Sequence, residues 1–217
     1  MNKLINFPAG SNAGLLTCVI CLSAALVFSS CVRPKETKLP VLGQKEVSGS
    51  DTIYHTIGKF RFVDQDSSII TNETVMNKIY VADFFFTSCR TICPVMKTQM
   101  LRVYESVKND PNVLLISHTI DPEYDTVGLL HDYANRLGVE TDKWHFLTGN
   151  KDSIYYIAQT GYFATAMEDQ DEPGGFIHSG AFLLIDKQGR IRGKYDGTSE
   201  EDVNKLLKDI GILEKKG

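Results

Sequence analysis

Past residue 31 this sequence has little cysteine: of five in the chain, only Cys89 and Cys93 lie beyond that point. A disulfide framework is therefore excluded as the source of the fold. Two cysteines four positions apart would close too small a loop to restrict the unfolded chain much. A basic surplus is also missing, since 23 Lys and Arg face 27 Asp and Glu for a net charge of -4. No run of Lys or Arg is long enough to track a phosphate backbone, and nucleic acid is excluded as a partner. Internal repeats and low-complexity tracts are absent as well. With 42% hydrophobic and 23% charged residues in 217, what remains is one ordinary globular domain with extensions.

The only long uncharged apolar run is residues 15–28, preceded by Lys3. It is short for a spanning helix and suits the apolar region of a signal peptide. Phe28-Ser29-Ser30-Cys31 then places small residues before a cysteine, which resembles the lipobox cut by bacterial lipoprotein signal peptidase. The expected organisation is a signal peptide at 1–30, a lipidated Cys31 opening a tether at 31–50, and a domain at 51–217. An uncleaved anchor helix is the alternative. Either way the domain faces the periplasm or cell exterior, tied to a membrane.

Within the domain, residues 54–57 and 60–63, split by Gly58-Lys59, suggest a short hairpin. Residues 79–86 and 113–120 read as strands buried on both faces. Met96, Met100, Val103, Tyr104 and Val107 recur at helical spacing, so 94–108 is an amphipathic helix and both methionines belong to its core stripe. Helices follow at 126–137, closed by Gly138, and at 153–160, stopping at Gly161. Strands are expected at 144–147, 181–185 and 191–195. A last helix is capped by Thr198 or Ser199 and buries Val203, Leu206, Leu207 and Ile210. This order makes an α/β domain with a central mixed sheet flanked by helices and an N-terminal hairpin.

The chemistry concentrates in Phe85-Phe86-Thr87-Ser88-Cys89-Arg90-Thr91-Ile92-Cys93-Pro94, which passes from a buried strand into a helix. A helix N-terminus favours thiolate. One helical turn would set the two Cα atoms about 6 Å apart on one face. That separation suits a disulfide or a single metal ion. Thiolates select Cu(I), Zn(II) or iron–sulfur clusters; two are too few for the usual cluster, and structural zinc wants four ligands. Two thiolates with one imidazole make a reasonable copper shell.

Four segments together resemble the Sco/SenC family: the cysteine motif, His118-Thr119-Ile120-Asp121-Pro122-Glu123-Tyr124-Asp125, Trp144-His145-Phe146-Leu147-Thr148-Gly149 and Phe176-Ile177-His178-Ser179-Gly180. The resemblance implies a thioredoxin-like fold and one copper ion held by Cys89, Cys93 and His178. It also implies service to the CuA centre of cytochrome c oxidase subunit II or a copper-relay protein, by copper delivery or by reduction of the receiving cysteines. Asp121 is expected close to the site, and His118 behind the ligands or in the core. Arg90 either lowers a thiol pKa by its charge or points to solvent. His55, His131 and His145 are expected to be structural, and Asp125, Asp169 and Asp171 solvated. Residues 168–172 read as a flap beside His178. The alternatives are a thiol:disulfide oxidoreductase, with Cys89 and Cys93 as the redox pair and disulfide, or an envelope redox sensor. A peroxidase reading fails on the missing peroxiredoxin Pro.

Overall fold

The computed structural model describes residues 38–49, 51–172 and 175–215. The expected signal peptide at 1–30, the Cys31 expected to carry a lipid and the first residues of the expected tether lie outside them. Among the described residues no helix is long and apolar enough to cross a membrane.

From Lys38 the chain is already tied to the domain. The Leu42 N–H donates to the Ile191 carbonyl at 2.8 Å, and the Arg192 guanidinium donates to the Leu39 and Pro40 carbonyls. Leu39 and Leu42 pack against the core. The later part of the expected tether is therefore docked, because its leucines find apolar surface. Next, β1 (Lys45–Ser48) and β2 (Asp51–Tyr54) form an exposed antiparallel hairpin, and β3 (Arg61–Val63) pairs with β4 (Ile69–Thr71).

The hairpin expected to turn at Gly58-Lys59 does not form, because other groups occupy its backbone. The Ile57 N–H donates to the Gly189 carbonyl at 2.8 Å. Asn72 accepts from the Phe60 N–H at 2.8 Å and donates to the Gly58 carbonyl at 3.0 Å. Asn72 itself opens the one-turn helix α1 (Asn72–Val75).

The main sheet is built as the apolar runs require. β5 (Ile79–Phe85) and β6 (Val113–Thr119) are buried at every position and lie parallel, Ile79 opposite Val113 and Phe85 opposite Thr119. Between them runs α2 (Cys93–Val107); after β6 come α3 (Val127–Leu137), β7 (Trp144–Leu147) and α4 (Lys151–Tyr156). A small hairpin of β8 (Ala166–Glu168) and β9 (Phe176–His178) follows. β10 (Ala181–Ile185), β11 (Ile191–Asp196) and α5 (Glu200–Glu214) close the fold. The five-stranded order is β11-β10-β5-β6-β7, with β10 antiparallel to both neighbours and β5, β6 and β7 parallel. This is the expected mixed α/β sheet.

Local signals explain the helix limits. Thr126 caps α3 by accepting from the Leu129 N–H, and Gly138 ends it in the left-handed region at φ 68°, which a residue without Cβ adopts freely. Ser199 caps α5 over an acidic first turn. The helix expected at 153–160 instead starts at Lys151 and finishes as a π-turn over Ile157–Gly161.

Side chains alternate across β5. Asp83 and Phe85 face a space shared with Met96 and Met100 of α2 and Tyr133 of α3. Phe84 faces the other way, against His118 and Tyr162. Met96 and Met100 are 2% and 1% exposed, so both serve the core, each contributing about 1.5–3 kcal/mol by burial.

Candidate metal centre

The site starts where β5 runs out. Phe86, Thr87 and Ser88 turn the chain, and the Cys89 N–H donates to the Phe86 carbonyl at 3.2 Å. The helix begins only at Cys93, followed at once by Pro94. Cys89 therefore sits in the preceding turn, and the expectation of two cysteines one helical turn apart is corrected. Both thiols are free and buried, each 8% exposed.

The third group arrives from the small hairpin. His178 ends β9 opposite Ala166 of β8, and Phe86 supports it: the Phe86 ring lies 5.6 Å from the His178 ring and 5.1 Å from that of Phe176. His178 Nε2 stands 3.3 Å from Cys93 Sγ and 4.0 Å from Cys89 Sγ. All three donor atoms lie within 4.8 Å of one another, the one such set of His, Cys and acidic side chains among the described residues.

The donors differ electrically. Burial raises the Cys89 thiol, but hydrogen bonds from the Thr91 hydroxyl, the Cys93 thiol and the Cys93 and Thr91 N–H groups outweigh it, leaving Cys89 below its ordinary range. Cys93 is pushed well up, first by burial and then by donating to Cys89. Burial lowers the pKa of His178, against the pull of the Ser179 and Phe84 carbonyls. Its Nδ1 is buried without a hydrogen-bond partner.

A soft metal ion fits this set. Metal–thiolate bonds of about 2.3 Å and metal–imidazole bonds of about 2.0 Å put donors around a three-coordinate ion roughly 4 Å apart. The 3.3 and 4.0 Å separations are close to that before any ion draws the donors together.

The other residues singled out in the sequence have surroundings of their own. Arg90 is exposed, and the groups that lower Cys89 are Thr91 and Cys93. His118 is fully buried on the face of β6 that meets Phe84 (5.1 Å), Tyr162 (5.4 Å) and Phe62 (5.5 Å). Neither of its ring nitrogens has a partner, and burial lowers its pKa to about 3. It is a core group among aromatic rings, not one standing behind the ligands.

Asp121 closes its own turn, accepting from the Tyr124 N–H at 3.4 Å. Burial raises its pKa, aided by Glu123 and Glu168 and opposed by the Tyr124 N–H and Lys151. His55, His131 and His145 bond to Gly161, Asp66 and Asp64, which is structural work. The expected flap is the turn of the β8–β9 hairpin, with the Asp169 N–H donating to the Gly175 carbonyl. Asp171 is exposed and Asp169 half-buried.

Asp125 reverses its expectation. It is completely buried, and its carboxylate accepts from the Thr87 N–H, the Thr87 hydroxyl and the Thr119 hydroxyl. Sequence reasoning missed this cluster. The available signal was that Thr87 and Asp125 fall within two of the four motif segments, although nothing in the sequence pairs them.

The chain is similar to solved structures. A SCO1/SenC family lipoprotein from Bacillus anthracis is 28% identical, with a TM-score of 0.67 over 74% of this chain and 95% of that one. BsSco, a member of the Sco family of cytochrome c oxidase assembly proteins, is also 28% identical, with a TM-score of 0.65 over 73% and 93%. Arabidopsis thaliana ScoI with copper bound shares the fold at 24% identity and a TM-score of 0.60, over 73% and 98%. These likenesses confirm the thioredoxin-like α/β fold. The SCO1/SenC family model matches residues 49–211, from the first hairpin into the last helix, and the chain belongs to that family.

Proposed function

We propose that this chain carries one copper ion, held by Cys89, Cys93 and His178, for assembly of the CuA centre of cytochrome c oxidase. The observation that carries the reading is the convergence of two sulfurs and one imidazole within 4.8 Å. Two thiolates and an imidazole suit copper, while structural zinc would want a fourth ligand. BsSco is a member of a family of oxidase assembly proteins, and the Arabidopsis protein of this fold holds copper. In this reading the two sulfurs hold Cu(I), and His178 matters more for Cu(II). The recipient is oxidase subunit II or a relay protein that supplies it. A lipid on Cys31 ties the domain to a membrane, facing the periplasm or cell exterior.

The test is metal analysis with copper spectroscopy on the reduced chain. One copper ion per chain is expected, with Cu(II) binding lost in Cys89→Ser and His178→Ala. Unchanged Cu(II) absorption in His178→Ala would remove that histidine from the shell. The anchor has its own check: Cys31→Ser should release the chain from the membrane fraction.

A second reading, reduction of the recipient's cysteines, is favoured by the unequal thiols. Cys89, the lower one, would attack an acceptor disulfide and displace one acceptor sulfur as a thiol. Cys93 would then close on Cys89, release the second acceptor thiol, and leave the Cys89–Cys93 disulfide. Two electrons and the pair's two protons pass to the acceptor. Turnover with a disulfide substrate in metal-free protein separates the two readings.

A further inference from the structure

The turn carrying Cys89 belongs to no strand or helix, and the Cys89 N–H to Phe86 carbonyl bond is its own closure. Something else must fix it sideways. Thr87, two residues before Cys89, directs both of its donors at one carboxylate: its N–H lies 3.1 Å from Asp125 Oδ2, and its hydroxyl bonds Oδ1. The Thr119 hydroxyl at the end of β6 donates to the same Oδ2 at 2.5 Å. Thr119 accepts in turn from the Asp121 N–H at 3.0 Å, and the Asp125 N–H donates to the Asp121 carbonyl at 2.8 Å. The turn 121–125 is thus folded so that its last side chain reaches back to Thr87.

Asp125 is 0% exposed and takes part in no ion pair among the described residues. A buried carboxylate with no cation is costly unless its oxygens are filled by donors. A smaller polar residue could end the same turn without that cost. What the carboxylate adds is two oxygens that receive both donors of Thr87 and, at once, the end of β6.

We infer that Asp125 is a positioning residue for Cys89: through Thr87 it ties the cysteine turn to the end of β6 and fixes where the Cys89 sulfur stands relative to Cys93 and His178. The role extends the proposed copper reading, but its primary test needs no metal.

The test follows alkylation of Cys89 and Cys93 by iodoacetamide in the reduced, metal-free full chain, each site mapped by mass spectrometry. Asp125→Asn and Thr87→Val should free the turn and speed Cys89 by about five- to thirty-fold, the effect of losing one or two buried hydrogen bonds. Cys93, fixed in α2, should change by less than about two-fold on that local-opening view. Thr87→Ser keeps both donors and should match the parent chain.

Equal acceleration of both thiols would show that Asp125 only stabilises the fold, and no acceleration would show that the turn is held by other contacts; either result overturns the inference. If Asp125→Asn fails to fold, Thr87→Val against Thr87→Ser decides alone. In the copper-loaded chain, Asp125→Asn should also shift the thiolate-to-Cu(II) absorption. A parent chain that takes up no copper would sink the copper reading and leave the alkylation result standing.

Discussion

His178 Nε2 lies 3.3 Å from Cys93 Sγ across 85 residues of chain. The contact is made by a histidine at the end of a two-stranded hairpin and a cysteine at the first position of a helix, with Phe86 beneath the histidine. Phe86, 2% exposed, also packs on Phe176, so one ring holds both side chains that β9 turns toward it.

Replacing that ring should therefore loosen the third donor. Phe86→Ala is expected to cost about 3–5 kcal/mol in denaturant unfolding, the usual penalty for emptying a phenylalanine site. In the part of the population that stays folded, Cu(II) should leave faster while Cu(I) stays with the two sulfurs. Equal Cu(II) release rates in variant and parent would show that the hairpin is held by other contacts.

The two thiols should react at different pH. Cys89 is held below the ordinary thiol range by its hydrogen bonds and Cys93 is raised by burial, so alkylation near neutral pH should fall on Cys89 and reach Cys93 only in strong alkali. Mass mapping of the alkylated sites across a pH series checks this. Equal labelling at neutral pH would contradict the asymmetry.

Asp83 and His118 should oppose each other in the pH dependence of stability. Burial raises Asp83 to about 7 despite its 2.5 Å bond from Ser117, and lowers His118 to about 3. A raised acid contributes stability that is full below its unfolded pKa, near 4, and is lost as pH rises toward 7. A depressed histidine contributes stability that is full above about 6.5 and is lost as pH falls toward 3.

Between about pH 4 and 6.5 the two slopes, each about 1.4 kcal/mol per pH unit, cancel. Relative to the parent, His118→Phe should gain stability as pH falls below 6.5, and Asp83→Asn should gain as pH rises above 4. Denaturation midpoints over pH 4–7 read both, and parallel profiles for parent and variants would refute the assignment.

Met100→Ala separates core from ligand. At 1% exposure on the buried stripe of α2, Met100 should cost about 2–5 kcal/mol when truncated, with copper stoichiometry unchanged. A loss of copper without a loss of stability would mean that its thioether reaches the metal.

What could be read from the sequence had a local cause. β5 and β6 open on unbroken apolar stretches, Ile79 to Ala82 and Val113 to Ile116, α3 ends at a glycine, and α2 shows its stripe of Met96, Met100, Val103, Tyr104 and Val107. The misreadings needed partners distant along the chain. Gly58-Lys59 looks like a turn until Asn72 and Gly189 take up the backbone groups beside it. Asp125 looks solvated until Thr87 and Thr119 close on it, and whether His118 stands behind the ligands or in the core is decided only when Phe84, Phe62 and Tyr162 surround it. Cys89, Cys93 and His178 were legible as a set through the motif segments; their spacing in space was not.

The β8–β9 hairpin is a sheet of its own, separate from the five strands that carry the core. A carrier has to surrender its cargo, and surrender is cheap when one grip can be withdrawn while the scaffold stays intact. Under the proposed copper reading the imidazole comes from that separate hairpin and the sulfurs from the turn and helix on the body of the domain, so a shift of the hairpin alone would leave the ion on two donors instead of three.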